Sequence, residues 1–410
     1  MTELEFYKFL LPVTARIGNG HSRIMPSDAY LHYSRNNIKK FPFKLVIHNQ
    51  HAYIVNNYCS NSSIVKGTEI LSINRTPFHI ISSQIAPLLP ADGYSLAFKH
   101  AKLAFDFDLH YSMFYDYQDS FSLELLPPGK KHTSTITVEA LLEKDIDENI
   151  DSDNTDKYFD LEYTEDSIGI LTIRNFWYKT FKCFIDSAFK DLSDHNVKNL
   201  IIDLRDNRGG NDDNGVYLYS YLSDRYFHYY SLMETHLEQN QKTIPCIEFV
   251  KKPENITQIV KLITKDEKDR NVILNPDTTI GFVKPGIMHK PKQSYFKGNV
   301  YILINGLSFS VTSDFCSIAH KNGRAKFIGS ETGGCYYGNT SGYSFHLILP
   351  NSKLDIRLNL IEYLTAVENS TYPYGRGVLP DFEIYPSALD IYNGVDTEKE
   401  YALNLIRKIK

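Results

Sequence analysis

The spacing of apolar residues changes once along this chain, at the acidic polar segment EKDIDENIDSDNTDK (143–157). Before that segment, short apolar runs that alternate with turn-forming residues predict β-strands. These runs are FPFKLVI (41–47), AYIVNN (52–57), GTEILSINRTPF (67–78), SFSLELL (120–126) and STITVEAL (134–141). Together with a helical pattern near 92–115, they predict a compact β-rich domain over residues 39–142.

After the acidic segment, near-continuous apolar runs alternate with helical patterns. Strands are predicted at IGILTI (168–173), VKNLIIDLR (197–205), VYILI (300–304) and RAKFIG (324–329), and helices at 179–192 and near 311–322. Apolar runs separated by helices are typical of a buried sheet covered on its faces by helices. The pattern therefore predicts an α/β domain over residues 158–390 and a C-terminal helix within residues 391–410.

The first 38 residues form a further region. Four apolar residues follow the i, i+3, i+4, i+7 spacing of one helix face: Phe6, Phe9, Leu10 and Val13. This spacing predicts a short amphipathic helix that buries those side chains.

The acidic segment itself is predicted to be a linker. Asp151, Asp153, Thr155 and Glu162 loosely follow the spacing of a calcium-binding loop. Such a loop needs a glycine at its turn, and Asp156 occupies that position. The segment is therefore interpreted as solvated, with no metal.

Composition narrows the function only slightly. The chain has 410 residues, of which 42% are hydrophobic and 23% charged, as in an ordinary soluble protein of two or three domains. A net charge of -5 without a basic stripe predicts no nucleic-acid partner. The five cysteines are scattered, with no C-x-x-C pair, so neither a zinc site nor a disulfide framework is predicted, and no cofactor motif is present.

The sequence leaves the compartment open. No run of 18 apolar residues is present, so no membrane span is predicted. The start, MTELEFYKFLLPV, lacks the basic region of a signal peptide. A chain that begins after a removed export signal would start in the same way.

The stretch LIIDLRDNRGGN (200–211) joins a predicted buried strand to a glycine turn. The adjacent Gly209 and Gly210 would let backbone N–H groups approach a ligand closely, as a donor site for an oxyanion requires. The alternative is a structural turn in which Asp203 and Arg205 form an ion pair.

The stretch INGLSFSVTSD (304–314) follows a predicted strand and leads into a predicted helix. Ser310 would lie at the N-terminus of that helix, where the hydroxyl is exposed and the backbone N–H groups favour negative charge. A nucleophilic serine would benefit from that position. Serine is also favoured there as a helix cap, so capping is the alternative.

The stretch IGNGHSR (17–23) places His21 in a glycine-rich turn. A neutral imidazole near pH 7 can accept a proton from a serine hydroxyl. The alternative is an ordinary surface-loop histidine.

The order of these stretches resembles that of the C-terminal processing peptidase (tail-specific protease) family, in particular its tricorn-like branch of serine peptidases. The resemblance covers roughly residues 15–385. It rests mainly on LIIDLRDNRGG and FSVTSDF…IGSETGG, with GRGVLPDFEI (375–384) similar to the closing element of the family. It implies a ClpP/crotonase-like catalytic domain and a PDZ-like β-rich domain that includes GTEILSINRTPF.

The resemblance also implies roles for individual residues. Ser310 falls on the family's nucleophile. Gly209 or Gly210, together with the N–H group of Val311, falls on the oxyanion hole. The PDZ-like domain would bind an extended polypeptide by strand addition.

Two means of activating the serine occur in the family. One branch uses a lysine after the G-x-x-T-x-G segment, but Cys335 and Tyr336 lie where that lysine would be sought. The tricorn-like branch uses a histidine from an N-terminal turn, which His21 fits. A late glutamate then orients the imidazole; Glu368 is the candidate and Glu331 the alternative.

The predicted function is thus that of a serine peptidase acting on polypeptides, with action near protein C-termini as a further expectation. Two other classes stay open: a catalytically silent peptide-binding scaffold, and a crotonase-like acyl-CoA enzyme that uses oxyanion donors without an activated serine. The resemblance implies an exported bacterial enzyme, and the oligomeric state is left open.

Overall fold

The computed structural model describes residues 1–147, 158–235, 273–274, 282–367 and 371–409. The N-terminal region consists of helix α1 (Glu3–Arg16), strand β1 (Arg23–Met25) and helix α2 (Asp28–Asn37). A capping box begins α1: the Thr2 hydroxyl accepts the N–H of Glu5, whose carboxylate accepts the N–H of Thr2.

The predicted apolar face of α1 is correct for Phe6 and Leu10, which are partly buried against a core cluster, and wrong for the other two residues. Phe9 and Val13 are exposed, and the helix instead buries Tyr7, Leu11 and Thr14. Tyr7 and Leu11 pack with side chains from β1, from the β-rich region and from the chain near residue 354. The side chains that pack on α1 lie far away in sequence. The spacing therefore predicted the helix but not which of its faces is buried.

The β-rich region, residues 39–142, contains the predicted strands and helices. Its elements are β2 (Phe43–His48), β3 (His51–Asn57), β4 (Glu69–Ile73), β5 (Thr76–Pro77), α3 (Phe78–Ile85), α4 (Leu96–Phe105), α5 (Phe107–Tyr115), β6 (Ser120–Leu126) and β7 (Ser134–Glu139). The sheet order is β2-β3-β4-β6-β7, with antiparallel pairing throughout. Its apolar face and the three helices enclose one core, and β2 lies at the edge of the sheet.

The segment predicted as a linker begins with a short helix, α6 (Glu143–Asp147). Residues 148–157, which include three of the four loosely calcium-like positions, lie outside the described residues.

The α/β region follows from residue 158. Its strands are β8 (Phe159–Tyr163), β9 (Gly169–Ile173), β10 (Asn199–Asp203), β11 (Phe227–His228), β12 (Tyr230–Thr235), β13 (Ile273–Leu274), β14 (Phe282–Pro285), β15 (Met288–His289), β16 (Asn299–Ile304), β17 (Lys326–Gly329), β18 (Gly338–Ile348), β19 (Asp355–Thr365) and β20 (Phe382–Glu383). Its helices are α7 (Phe181–Asp194), α8 (Asp212–Ser220), α9 (Val311–Lys321), α10 (Ala388–Asn393) and α11 (Thr397–Ile409).

The central sheet of this region has the order β20-β17-β16-β10-β9-β8. Neighbouring strands are parallel except for β8, which pairs antiparallel with β9 at one edge. Helices α7, α8 and α9 cover one face and α11 covers the other. The strands β9, β10, β16 and β17 are rich in apolar residues because both faces of the sheet are covered there, and the sequence predicted these four. The edge strands β8 and β20 were not predicted.

A second, antiparallel sheet was not predicted from the sequence. Strand β19 pairs with β18 along one edge, and with β12 and the N-terminal β1 along the other. This sheet joins the start of the chain to the α/β region. No helix among the described residues is long and apolar enough to cross a membrane.

The predicted ion pair between Asp203 and Arg205 is present at the end of β10. The guanidinium of Arg205 donates to both carboxylate oxygens of Asp203, at 3.0 and 2.8 Å, and to Asp396 and Glu398 at the start of α11. Burial alone would raise the pKa of Asp203, but the charges and hydrogen bonds of Arg205 and Arg174 outweigh burial and hold that pKa well below its ordinary value. The network fastens the C-terminal helix to the central sheet.

Replacing Arg205 with alanine is expected to lower the free energy of unfolding at pH 7 by about 3–5 kcal/mol, because it leaves buried carboxylates without their partner. The pKa of Asp203 is lowered in the folded state, so the stabilisation is present above about pH 4 and is lost as the pH falls below that. Urea unfolding at pH 7 and at acidic pH measures both effects.

Arg225→Ala is the control, because Arg225 also forms a two-bond pair, with Asp224, but is 78% exposed. Its stability should match that of the unmodified protein within error. Equal effects of the two substitutions would contradict the role of the Arg205 network.

Candidate active site

Ser310 lies in the turn between strand β16 and helix α9, so the predicted strand–turn–helix is present. Its backbone has φ +59° and ψ -131°, which residues other than glycine rarely adopt. Strained backbone of this kind occurs at functional sites, and serine nucleophiles are found on sharp strand-to-helix turns. The side chain makes no capping hydrogen bond with α9, which argues against the capping alternative.

The other three hydroxyls of the same stretch are engaged in structural hydrogen bonds. Ser308 donates to the carbonyl oxygen of Leu204 at 2.8 Å, and Thr312 donates to the side-chain oxygen of Asn207 at 2.8 Å. Ser313 donates to the carbonyl oxygen of Ser308 at 2.7 Å. These bonds hold the turn that carries the fourth hydroxyl, that of the candidate nucleophile.

The glycine turn after β10 packs directly against this serine. A Cβ atom placed on Gly209 would lie 2.8 Å from Cβ of Ser310 and 3.0 Å from the backbone nitrogen of Val311. The φ angles of Gly209 and Gly210 are +91° and +152°, so both lie where glycine is favoured.

Asn207 organises this turn and determines which N–H groups are free. Its side-chain nitrogen donates to the carbonyl oxygen of Ile173, and its side-chain oxygen accepts the N–H of Gly209 at 2.9 Å. Of the two predicted glycine donors, Gly210 therefore keeps an N–H with no partner among the described residues. Val311 is the first residue of α9, where the N–H has no partner within the helix.

The turn that carries His21 is fastened to the α/β region. The side-chain oxygen of Asn19 accepts the N–H groups of His21 and Ser22, at 2.7 and 3.1 Å, and its nitrogen donates to the carbonyl oxygen of Thr340 in β18. The next residues form β1, which pairs with β19. The antiparallel sheet thus brings the N-terminal segment to the serine turn.

The imidazole ring lies against the residue that precedes the candidate nucleophile. The ring centroids of His21 and Phe309 are 4.5 Å apart and stacked, and Phe98 of α4 stacks on the other side at 4.6 Å. The His21 side chain is only 13% exposed. The largely buried, stacked ring does not fit the alternative of an ordinary surface-loop histidine. It contacts the residue next to Ser310.

Within the described part of the chain, the carboxylate of Asp92, in the loop before α4, lies within ion-pair distance of His21. Its Oδ1 atom lies 3.9 Å from Nδ1 of His21 and accepts the N–H of Gly20 at 2.7 Å. Asp92 is buried, and its second oxygen has no hydrogen-bond partner among the described residues. The sequence analysis did not select this residue.

Of the two glutamates predicted as candidates to orient the imidazole, the structure describes only one. Glu331 is bound by Arg376, at 2.8 Å to each carboxylate oxygen, and by the N–H of Gly377. Those contacts join the SETGG segment to the GRGVLPD segment. Glu368 lies outside the described residues.

The two residues found where a lysine was sought do not supply a base. Burial raises the pKa of the Cys335 thiol to about 12, so the thiol is protonated at neutral pH. Tyr336 is buried and stacks on Tyr372 at 3.9 Å.

A cleft of about 1870 Å³ leads to the glycine turn. One wall is the edge strand β2 with residues of α4, and the opposite wall is the α/β region, including Trp177, Arg208 and Gly209. The guanidinium of Arg208 lies over the ring of Phe105, 4.6 Å from its centroid.

Three residues that shape the site were missed in the sequence. Asn19 and Asn207 each stand two positions before a residue whose N–H they bind, a local pattern typical of asparagine in turns. That pattern was a usable signal. Asp92 approaches His21 across 71 positions of sequence, so no local pattern could have indicated it.

A strained serine lies beside free N–H groups on a mixed α/β fold, with an imidazole stacked on the residue before it. The model of peptidase family S41 matches residues 167–384, more than half of the chain. The chain belongs to this family, and is a serine-type peptidase. The predicted resemblance to the C-terminal processing peptidases and the mixed α/β fold class are confirmed.

One solved structure in particular has the same fold. The chain is similar to mature CPAF complexed with lactacystin, with 15% identity, a TM-score of 0.65, and coverage of 100% of this chain and 88% of that one. It also matches the photosystem II D1 C-terminal processing protease (12% identity, TM-score 0.42, 92% and 81% coverage) and the tricorn protease (13%, 0.32, 95% and 30%). Among curated proteins, no significant match is found.

Proposed function

We propose that this peptidase cleaves polypeptides with Ser310 as nucleophile and His21 as general base and then general acid. The observation that carries the proposal is the strained backbone of Ser310, whose hydroxyl alone among four neighbours makes no capping or turn-forming bond. The imidazole of His21, the proposed base, stacks on Phe309, the residue that precedes Ser310.

The reaction would follow the usual two-step course of serine peptidases. The Ser310 oxygen attacks the scissile carbonyl carbon while its proton passes to the imidazole of His21. The imidazolium then gives that proton to the departing amine as the peptide C–N bond breaks. A water molecule next attacks the ester on Ser310, and His21 again takes and returns a proton.

The N–H groups of Gly210 and Val311 are proposed to bind the oxyanion of the tetrahedral intermediate. Both lack a hydrogen-bond partner of their own in the described structure, and both adjoin Ser310 through the packing of Gly209. Backbone donors fixed in this way stabilise the charge that develops in the transition state.

The β-rich region is proposed to act as a PDZ-like module on a ClpP/crotonase-like catalytic domain. Strand β2 is at the edge of its sheet and lines the cleft that reaches Gly209. An extended substrate added to β2 would gain main-chain hydrogen bonds and lead towards the serine. Action near protein C-termini is part of this proposal.

A fluorophosphonate probe and a casein substrate test the proposed function. We expect the unmodified protein to hydrolyse casein and to react with the probe, with the adduct mapped to Ser310 by mass spectrometry. The heat-denatured protein is the control and should not react. Absence of an adduct, or turnover of an acyl-CoA without casein cleavage, would count against the proposal and favour the scaffold or the crotonase-like class.

A further inference from the structure

Two buried polar atoms of neighbouring side chains near the serine turn have no hydrogen bonds. Nδ1 of His21 and Oδ2 of Asp92 each have no partner among the described residues. The other oxygen of Asp92 lies 3.9 Å from the same Nδ1 atom. Unpaired buried polar groups are costly, so a native structure that keeps two of them together calls for a functional explanation.

The loop that carries Asp92 is held on both sides. Gly93 donates its N–H to the carbonyl oxygen of Gly18 at 2.9 Å, which fixes the loop to the histidine turn. Tyr94 donates its N–H to the carbonyl oxygen of Gly375 at 3.1 Å, which fixes it to the α/β region. The carboxylate therefore has a fixed position relative to both His21 and the serine turn.

Three other ionisable groups of this region are neutral or already paired. Burial raises the pKa of Asp314 well above its ordinary value, with Asp212 and Asp92 adding to the effect, so the neutral carboxyl is favoured there. Cys335, the other ionisable group near Asp92, is a neutral thiol at neutral pH. Glu331 is engaged by Arg376.

We propose that Asp92 is the positioning residue for His21: its carboxylate accepts the Nδ1 proton and fixes the tautomer whose other nitrogen receives the Ser310 proton. This inference rests on the proposed function. The separation of 3.9 Å is longer than a hydrogen bond, as is common for catalytic contacts before substrate binds, and the proposal requires it to shorten when substrate binds.

Each proton in the proposed cycle has a donor and an acceptor. Before reaction, His21 carries one proton on Nδ1, directed at Asp92. Transfer of the Ser310 proton to the second nitrogen produces an imidazolium, whose positive charge the carboxylate stabilises. When the leaving amine takes that proton, the original state returns, and no proton passes to Asp92.

The role assigned to Asp92 differs from the late glutamate that the sequence analysis favoured. Asp92 comes from the loop before α4, within the β-rich region. The base and its orienting acid would thus both reach the serine from outside the α/β region. Catalysis would then depend on the β-rich region being docked in place.

Asp92→Asn isolates the charge from the structural role. Asparagine keeps the size and the oxygen that accepts the N–H of Gly20, but it cannot fix the required tautomer. We expect kcat for fluorescently labelled casein to fall by about 10⁴-fold, as for the same change in a serine-peptidase triad, with KM and melting temperature little changed. Asp92→Glu should recover at least tenfold over the asparagine variant.

The pH profile separates positioning from mere packing. The acid limb of kcat/KM reports protonation of the base. In Asp92→Asn this limb should move to lower pH, because the imidazolium loses its negative neighbour. The ionisable groups around the pair, Asp314 and Cys335, are the same in both proteins and cannot cause the shift.

Asp119→Asn is the matched control, since Asp119 is an exposed carboxylate of the same β-rich region, and it should retain full activity. Glu368→Gln tests the competing acid. A kcat of Asp92→Asn within tenfold of the unmodified value overturns the inference, whatever Glu368→Gln does. If both variants lose activity, a shifted acid limb in Asp92→Asn supports the inference and an unshifted limb overturns it.

These results also separate the inference from the proposed function. Casein cleavage with an adduct on Ser310, together with an unaffected Asp92→Asn variant, removes the role of Asp92 and leaves the proposed function in place. An unmodified protein with neither cleavage nor adduct removes both.

Discussion

Replacing Ser310 with alanine is expected to lower kcat for casein hydrolysis by about 10⁶-fold, the loss seen when a serine peptidase loses its nucleophile. The remaining rate would come from the oxyanion donors and substrate binding alone. A continuous fluorescence assay on labelled casein, with the fluorophosphonate reaction followed in parallel, measures the effect.

The same substitution should leave the fold intact. The side chain of Ser310 makes no capping hydrogen bond, so alanine removes no such contact. Serine and alanine carry the same Cβ atom, so the strain at φ +59° is common to both. We therefore expect the free energy of unfolding to change by less than about 0.5 kcal/mol.

Two further variants make the result specific. Ser83, in α3, has an exposed hydroxyl bonded only to the carbonyl oxygen of Ile80, so Ser83→Ala should keep full activity. Ser313→Ala removes a buried hydroxyl that bridges Ser308 and Gly334 and should lower stability instead. A Ser310→Ala protein that hydrolyses casein within tenfold of the unmodified rate would refute the nucleophile assignment.

The sequence predicted the elements around the site because their signals are local. Strands β10 and β16 are nearly continuous apolar runs, and the residues that follow each of them break the pattern with glycine or hydroxyl side chains. Since the ends of adjacent parallel strands lie at one edge of a sheet, the glycine turn and Ser310 meet there. That much follows from chain order and periodicity.

What the sequence left open depends on distant contacts. The buried face of α1 is decided by side chains near residue 354, and the antiparallel sheet pairs β1 with β19, more than 300 positions away. Which glycine keeps a free N–H depends on the orientation of the Asn207 side chain. The acid that faces His21 comes from a loop with no motif of its own. Such choices are made by tertiary packing, which local spacing does not encode.

Gly209→Ala is expected to lower kcat/KM by about 10²–10³-fold, equivalent to about 2.7–4 kcal/mol of transition-state stabilisation. The new Cβ atom would lie 2.8 Å from Cβ of Ser310, 2.9 Å from the carbonyl oxygen of Phe309 and 3.0 Å from the nitrogen of Val311. These three atoms are backbone or Cβ atoms, which a side-chain rotation cannot move out of the way. The serine turn must therefore move, which displaces the nucleophile and the Val311 donor together.

The loss from Gly209→Ala must be separated from the general cost of alanine at a positive φ angle, and Gly323 provides the comparison. Gly323 has φ +60°, with nothing within 4 Å of an added Cβ atom, and follows the end of α9. Gly323→Ala should cost about 1–2 kcal/mol of stability through backbone strain and keep its kcat/KM per folded molecule. With folded fractions measured by circular dichroism, a large loss of kcat/KM in Gly209→Ala alone assigns the effect to displacement of the serine turn. Equal kcat/KM values in the two variants would mean that the glycine turn can yield without disturbing Ser310, and the proposed oxyanion site would have to be placed elsewhere.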